Sequence, residues 1–216
     1  DGVVGSSPAL AAVLRQAALV APLDVNVLLT GASGTGKSQL ARVIHDNGSR
    51  AAASFVELNC AALPDTLIES ELFGAAAGAH SQARRAIAGK VAVAEGGTLF
   101  LDEIAELAIP AQAKLLQLLQ SKQYFCLGGT MPIQADVRLI AATNTNLEEA
   151  VREHPQGATA VLFGRLRDQD QTARPVLASR REQPCAADQT RHVDVVTAGV
   201  HHPQDATVGG AHLDPT

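Results

Sequence analysis

Apolar positions recur along most of the chain, alternating between the period of a helix and that of a buried strand. Ser7-Pro8 pairs an N-cap residue with proline at the first helical position, and Leu10, Val13, Leu14 and Ala17 then fall on one helical face. Asp24 to Thr30 (DVNVLLT) reads as a strand, with GASGTGKS directly after it. Leu40, Val43 and Ile44 give the next helix a buried stripe, which Asn47-Gly48 ends. A short strand from Ser54 to Leu58 precedes a helix opened by Pro64 and carrying Leu67, Ile68 and Leu72. Gly97 to Asp102 (GTLFLD) is a mostly apolar strand, and the helix from Pro110 buries Leu115, Leu116, Leu118 and Leu119. Tyr124 to Ile133 reads as a hairpin around Gly128-Gly129. Asp136 to Ala142 (DVRLIAA) is a fourth strand, leading into TNTN and a helix near Leu147 to Arg152. Helices between strands nearly continuous in apolar residues indicate a parallel sheet covered on both faces, an α/β architecture.

That regularity stops near Asp168. Between there and Thr216 only VDVV and the Pro-interrupted PVL resemble strands, and no helical stripe of useful length occurs. The sequence therefore divides into a core over 1–167 and a divergent tail over 168–216. The tail is expected to be irregular or poorly ordered; the competing reading gives it an edge strand and a small lid.

Composition narrows the function classes. At 216 residues, 46% hydrophobic and 18% charged, the chain suits one sizeable globular domain. Aromatics are only 3%, with no Trp, so the core must be aliphatic, and the count argues against a stacking platform for single-stranded nucleic acid. The net charge of -5 gives no global attraction to DNA, and no direct DNA contact is expected. Cys60, Cys126 and Cys185 form no CxxC pair, which favours a reducing cytoplasm over a disulfide framework. No apolar run is long enough for a membrane helix, no secretory signal is visible, and Asp1 in first place suggests a fragment.

The chemistry concentrates in two stretches. Gly31-Ala32-Ser33-Gly34-Thr35-Gly36-Lys37-Ser38 fits GxxxxGK[ST] between a strand and a helix, the context a phosphate-binding loop requires. Its glycines let backbone N–H groups curl around phosphates at a helix N-terminus. Lys37 would reach the β- and γ-phosphates of ATP, and Ser38 would ligate magnesium. Asp102-Glu103 closes GTLFLDE, placing a carboxylate at the sheet edge to hold magnesium through its waters and a second one to orient an attacking water. Asn144 follows the VRLIAAT strand, whose expected neighbour is the Asp102 strand. Its amide either contacts the γ-phosphate or merely forms a turn, and Thr143 shares that ambiguity. His192, His201, His202, His212 and Cys185 match no zinc spacing.

Several stretches together resemble the AAA+ central domain of sigma-54-dependent bacterial transcriptional activators: VGSSPAL, VLLTGASGTGKS, FVELNCAALPDTLIESELFG, GGTLFLDEI, QAKLLQLLQ and DVRLIAATNTNLEEAVRE. They cover most of residues 3–153. The resemblance implies a P-loop NTPase of three-layer α/β/α form. It also implies a hexameric ring whose hydrolysis of ATP remodels sigma-54 RNA polymerase holoenzyme, and a preference for adenine nucleotides. It further implies that Asn59 contacts Glu103 and that Arg165 matches one of two interface arginines, the other position holding Thr159 or Ala160. Where the family carries GAFTGA on its sigma-contacting loop, this chain has Gly78-Ala79-His80-Ser81-Gln82-Ala83, so a polar tip replaces an aromatic one. After Leu166 the resemblance ends, without the family's helical lid. Two functions follow: an ATPase that drives transcription activation, or a nucleotide-binding module that hydrolyses little and remodels nothing.

Overall fold

The computed structural model describes residues 8–78, 86–145, Leu162, Gly164 and a strand at 193–198. In chain order the elements are α1 (Pro8–Val20), β1 (Asn26–Gly31), α2 (Lys37–Asp46), β2 (Phe55–Asn59), α3 (Asp65–Phe73), α4 (Lys90–Val93) and β3 (Thr98–Asp102). They continue with α5 (Ile109–Ser121), β4 (Gln123–Tyr124), β5 (Ile133–Gln134), β6 (Arg138–Thr143) and β7 (Val193–Ala198). Single 3₁₀ turns occupy Cys60–Ala62 and Ile104–Glu106.

Five strands form one sheet in the order β2-β3-β6-β1-β7. The first four are parallel, which makes β6 the neighbour of β3 as the sequence suggests. Successive side chains on a strand point to opposite faces, so a sheet covered on both sides needs apolar residues at every position. Val27 and Leu29 of β1 join Phe100, Ile140 and Ala142 under α1 and α2. Leu28, on the other face, joins Leu99, Leu101, Leu139 and Ala141 under α3 and α5. The result is the expected three-layer α/β/α arrangement.

Three features depart from the sequence reading. First, the hairpin shrinks to the two-residue pairing of β4 with β5, because Leu127 pairs with Ala75 instead. Ala75 also bridges Ile87, so the two stretches flanking residues 79–85 form a neck pinned to the β4–β5 segment. At this neck Gly74 and Gly89 cross so closely that a Cβ on Gly89 would lie 2.2 Å from Gly74 N. Second, the short helix α4 forms on the far side of that neck. Third, Val193–Ala198, in the tail expected to be irregular, pairs antiparallel with β1 over its whole length. An uncovered edge on β1 leaves the backbone donors and acceptors of alternate residues free, and VDVV has the β-branched content to pair with them. The remainder of 168–216, the expected helix near 147–152, and Arg165 lie outside the described residues.

The N-terminal ends of the strands are tied by arginines. Arg50 donates to Asp24 at 3.0 and 2.7 Å and to the Asp136 carboxylate at 2.6 Å, joining the loops that precede β1 and β6. Its guanidinium holds the Asp24 carboxyl below the ordinary carboxylate range. Arg138, only 2% exposed, donates to the carbonyls of Val20, Ala21 and Val25 at 2.9, 2.9 and 3.2 Å. Its charge thereby meets the carbonyl end of α1.

Candidate functional site

The C-terminal ends of the parallel strands collect the reactive side chains, the expected place for a ligand in an open α/β sheet. β1 ends at Gly31 and α2 begins at Lys37, and the turn between them requires left-handed backbone at Gly34 (φ 76°) and Gly36 (φ 89°). Side chains at those positions would be strained, and the space over Gly34 holds no heavy atom within 4 Å of a would-be Cβ. The loop thus presents a concave row of backbone donors to an anion. A cleft of about 310 Å³ opens there, lined by Ser33, Gly34, Gly36, Lys37, Ser38 and Gln39 on one side and Asp102 and Glu103 on the other.

Lys37 is 5% exposed, and its Nζ donates to Gly31 O at 2.9 Å and Ala32 O at 3.2 Å. The same ammonium stands 3.9 Å from Glu103 Oε1. Ser38 Oγ donates to Asp102 Oδ2 at 3.4 Å, long for such a bond. Adjacent oxygen ligands of one magnesium ion are about 3 Å apart and opposite ones about 4 Å. Ser38 and Asp102 thus supply neighbouring oxygen donors of the kind magnesium takes, the hydroxyl directly and the carboxylate through a water.

Glu103 is held in a conformation unusual for its residue type, φ 50° and ψ 51°. Its carboxylate accepts the Asn144 backbone N–H at 3.0 Å, and its own N–H donates to Asp102 Oδ1 at 3.1 Å. A left-handed non-glycine backbone costs about 1–2 kcal/mol and concentrates at functional sites. A paired test follows: Glu103→Gly and Glu103→Ala both delete the carboxylate, but only glycine also relaxes the backbone. Urea denaturation should find Glu103→Gly more stable than Glu103→Ala by about 1 kcal/mol. Equal stabilities would show that the backbone here is not strained.

The sequence-expected residues meet unevenly. Lys37, Ser38, Asp102 and Glu103 converge on the cleft. Asn144 is adjacent, but through its main chain, which its residue type did not reveal. Asn59 stands in register with Asp102 on neighbouring strands, yet its Oδ1 accepts Ala61 N–H at 2.9 Å and caps the 3₁₀ turn. The hydrogen-bonding partners of the Glu103 carboxylate are Lys37 at ion-pair distance and the Asn144 N–H, rather than the Asn59 that the resemblance implies. Cys60, under the acidic pair, is a buried thiol pushed up to about 12 by burial and by Asp102 and Glu103, so it is no thiolate nucleophile. Gln39 was not singled out by any motif, although its place two residues after the P-loop lysine brings it to the cleft. Among the described residues no group of three His, Cys, Asp or Glu forms a metal cluster, and no helix is long and apolar enough to cross a membrane.

Comparison with known proteins places this geometry in context. The family described as Sigma-54 interaction domain matches residues 3–168. The Nif-specific regulatory protein of Bradyrhizobium diazoefficiens is 53% identical over 150 residues, covering 69% of this chain and 26% of that protein. The alginate biosynthesis transcriptional regulatory protein AlgB of Pseudomonas putida is 50% identical over 153 residues, or 71% of this chain and 34% of that protein. The crystal structure of NtrX from Brucella abortus in complex with ATP superimposes with a TM-score of 0.68 at 36% identity, covering 76% of this chain and 35% of that chain. The same protein is also known in complex with ADP. The chain thus spans about a quarter to a third of the length of these curated relatives.

Proposed function

This chain belongs to the sigma-54 interaction domain family, and from that premise we propose that it binds ATP with magnesium and hydrolyses it as the motor of a transcriptional regulator. The single observation that carries the reading is the convergence of the glycine-lined anion cradle, buried Lys37, and the Ser38–Asp102 oxygen pair on one cleft. The ATP-bound state of NtrX, a relative with the same fold, supports the choice of nucleotide.

Phosphate oxygens take the backbone N–H groups of 31–38, and Lys37 turns from Gly31 O and Ala32 O toward the β- and γ-phosphates. Ser38, and Asp102 through water, would hold a magnesium ion, which would neutralise charge on those phosphates. Once Lys37 turns to phosphate, Glu103 loses its ion pair and is released to orient a water. That water attacks the γ-phosphorus, its proton passes to Glu103, and the bond to the β-phosphate oxygen breaks to leave ADP. Asn144 fixes the carboxylate by its main chain, Asn59 stands ready beside Asp102, and Arg165 would serve a neighbouring subunit of a ring. In this reading the ring acts on sigma-54 RNA polymerase holoenzyme in the cytoplasm.

A second reading, nucleotide binding without remodelling, is favoured by His80, Ser81 and Gln82, which replace the aromatic and glycine residues of the family's contact loop. Calorimetric titration separates binding from turnover. Saturable heat with ATP and magnesium at micromolar nucleotide, together with phosphate release, supports the ATPase. Binding without phosphate release supports the second reading. No heat from a folded sample at high micromolar ATP overturns both.

A further inference from the structure

We propose that Gln112 is a positioning residue for Glu103: by anchoring the Leu107 carbonyl it holds the turn that keeps the water-orienting carboxylate in its left-handed backbone conformation. The proposal rests on the hydrolytic reading of the cleft and adds to it a residue of α5 that lies outside the cleft lining. The first observation is a polar side chain where the helix pattern calls for an apolar one. Gln112 shares the buried face of α5 with Ala111, Leu115, Leu118 and Leu119, and is 3% exposed. A buried amide is costly unless it is hydrogen-bonded. Its Nε2 donates to Leu107 O at 2.7 Å. Among the described residues no main-chain N–H reaches that carbonyl, which lies between the 3₁₀ turn and α5.

Leu107 closes the turn that Glu103 opens. Glu106 N–H donates to Glu103 O at 3.0 Å and Leu107 N–H to Ile104 O at 3.2 Å. Ile104 and Leu107 are buried in the same apolar cluster as Ala111 and Leu115 of α5. A non-glycine residue stays at φ 50° only where its surroundings hold it from both sides. On one side, the pairing of β3 with β2 and the contact with Asp102 Oδ1 fix the Glu103 N–H. On the other, the Gln112 amide fixes the exit of the turn. Freed at that exit, the turn can relax toward negative φ at Glu103, which swings the carboxylate away from the Asn144 N–H.

Gln112→Leu keeps the bulk of the side chain on an apolar face and removes the amide. Phosphate release by the full chain, divided by the number of titrated ATP sites, gives a turnover that is blind to the folded fraction. That turnover should fall by about tenfold or more, while the Kd for ATP with magnesium stays within about threefold of wild type. The strain should go with it. The advantage of Glu103→Gly over Glu103→Ala in urea midpoint should shrink by about half or more in the Gln112→Leu background. Gln112→Glu tests the same contact should the leucine variant not fold. Its carboxyl donates to Leu107 O only when protonated, so its turnover relative to wild type should rise as pH falls from about 8 to about 6. Turnover per site within about twofold of wild type in Gln112→Leu, an undiminished glycine advantage, or a ratio for Gln112→Glu that stays flat with pH would each overturn the proposal and leave the hydrolytic reading intact. A wild-type chain that binds ATP without releasing phosphate would overturn both.

Discussion

Lys37→Ala is expected to weaken ATP binding by a hundredfold or more while leaving the domain folded. The ammonium is almost fully buried at the bottom of the cleft, its partners are two carbonyls of the loop itself, and its nearest charge is Glu103 at 3.9 Å. A cation in that position is the main counter-charge for the β- and γ-phosphates. Hydrogen bonds to charged groups contribute about 1.5–3 kcal/mol each, or about one to two decades in Kd, and this ammonium serves two phosphates, so its loss reaches about two decades or more. The folded state suffers less, since alanine suits the first turn of a helix and the released carbonyls border the open cleft. Calorimetry reads the affinity, and circular dichroism confirms folding. An alanine variant that binds ATP within about threefold of wild type would remove the cleft from consideration as the phosphate site.

Arg138→Met should destabilise the domain by about 3–5 kcal/mol without touching the cleft. Methionine keeps most of the stem volume, so the loss isolates the guanidinium. Ala21 O and Val25 O would lose the N–H donors that reach them in the interior, and each such group costs about 1–3 kcal/mol when left unmet. Val20 O retains the Leu23 N–H at 3.1 Å and suffers less. Burial lowers the pKa of Arg138, but a guanidinium starts so high that it stays charged through any ordinary range. Urea denaturation gives the difference directly, and Arg138→Lys should recover only part of it because one ammonium cannot reach three carbonyls in fork geometry. A loss under about 1 kcal/mol for Arg138→Met would mean that water replaces the guanidinium.

Much of this architecture was legible because the relevant signals are local. The run VNVLLT followed by GASGTGKS fixes a strand, a glycine turn and a helix in consecutive order. The acid at the end of GTLFLD lands beside that turn simply because parallel strands share one C-terminal edge. What stayed hidden depends on partners that side-chain identity does not reveal. Arg138 interrupts the apolar run DVRLIAA, and its partners are main-chain carbonyls, which every residue has. Asn144 reaches Glu103 through a backbone N–H for the same reason. The resemblance sets Asn59 beside Glu103, but residue type does not reveal that its Oδ1 accepts the Ala61 N–H and so fixes which way the amide points. VDVV carried a strand signal among surroundings without periodicity, and only the open edge of β1 gives that signal a place to pair.

The antiparallel pairing of β7 with β1 also sets an order of events for a growing chain. β1 leaves the ribosome well before β7, so this pairing has the longest loop to close and the highest contact order in the sheet. The parallel strands can assemble before it exists. During that interval the strand that carries the phosphate loop is itself an edge, able to pair with another nascent chain. The yield of soluble protein should therefore depend on synthesis rate and temperature as well as on the stability of the finished fold.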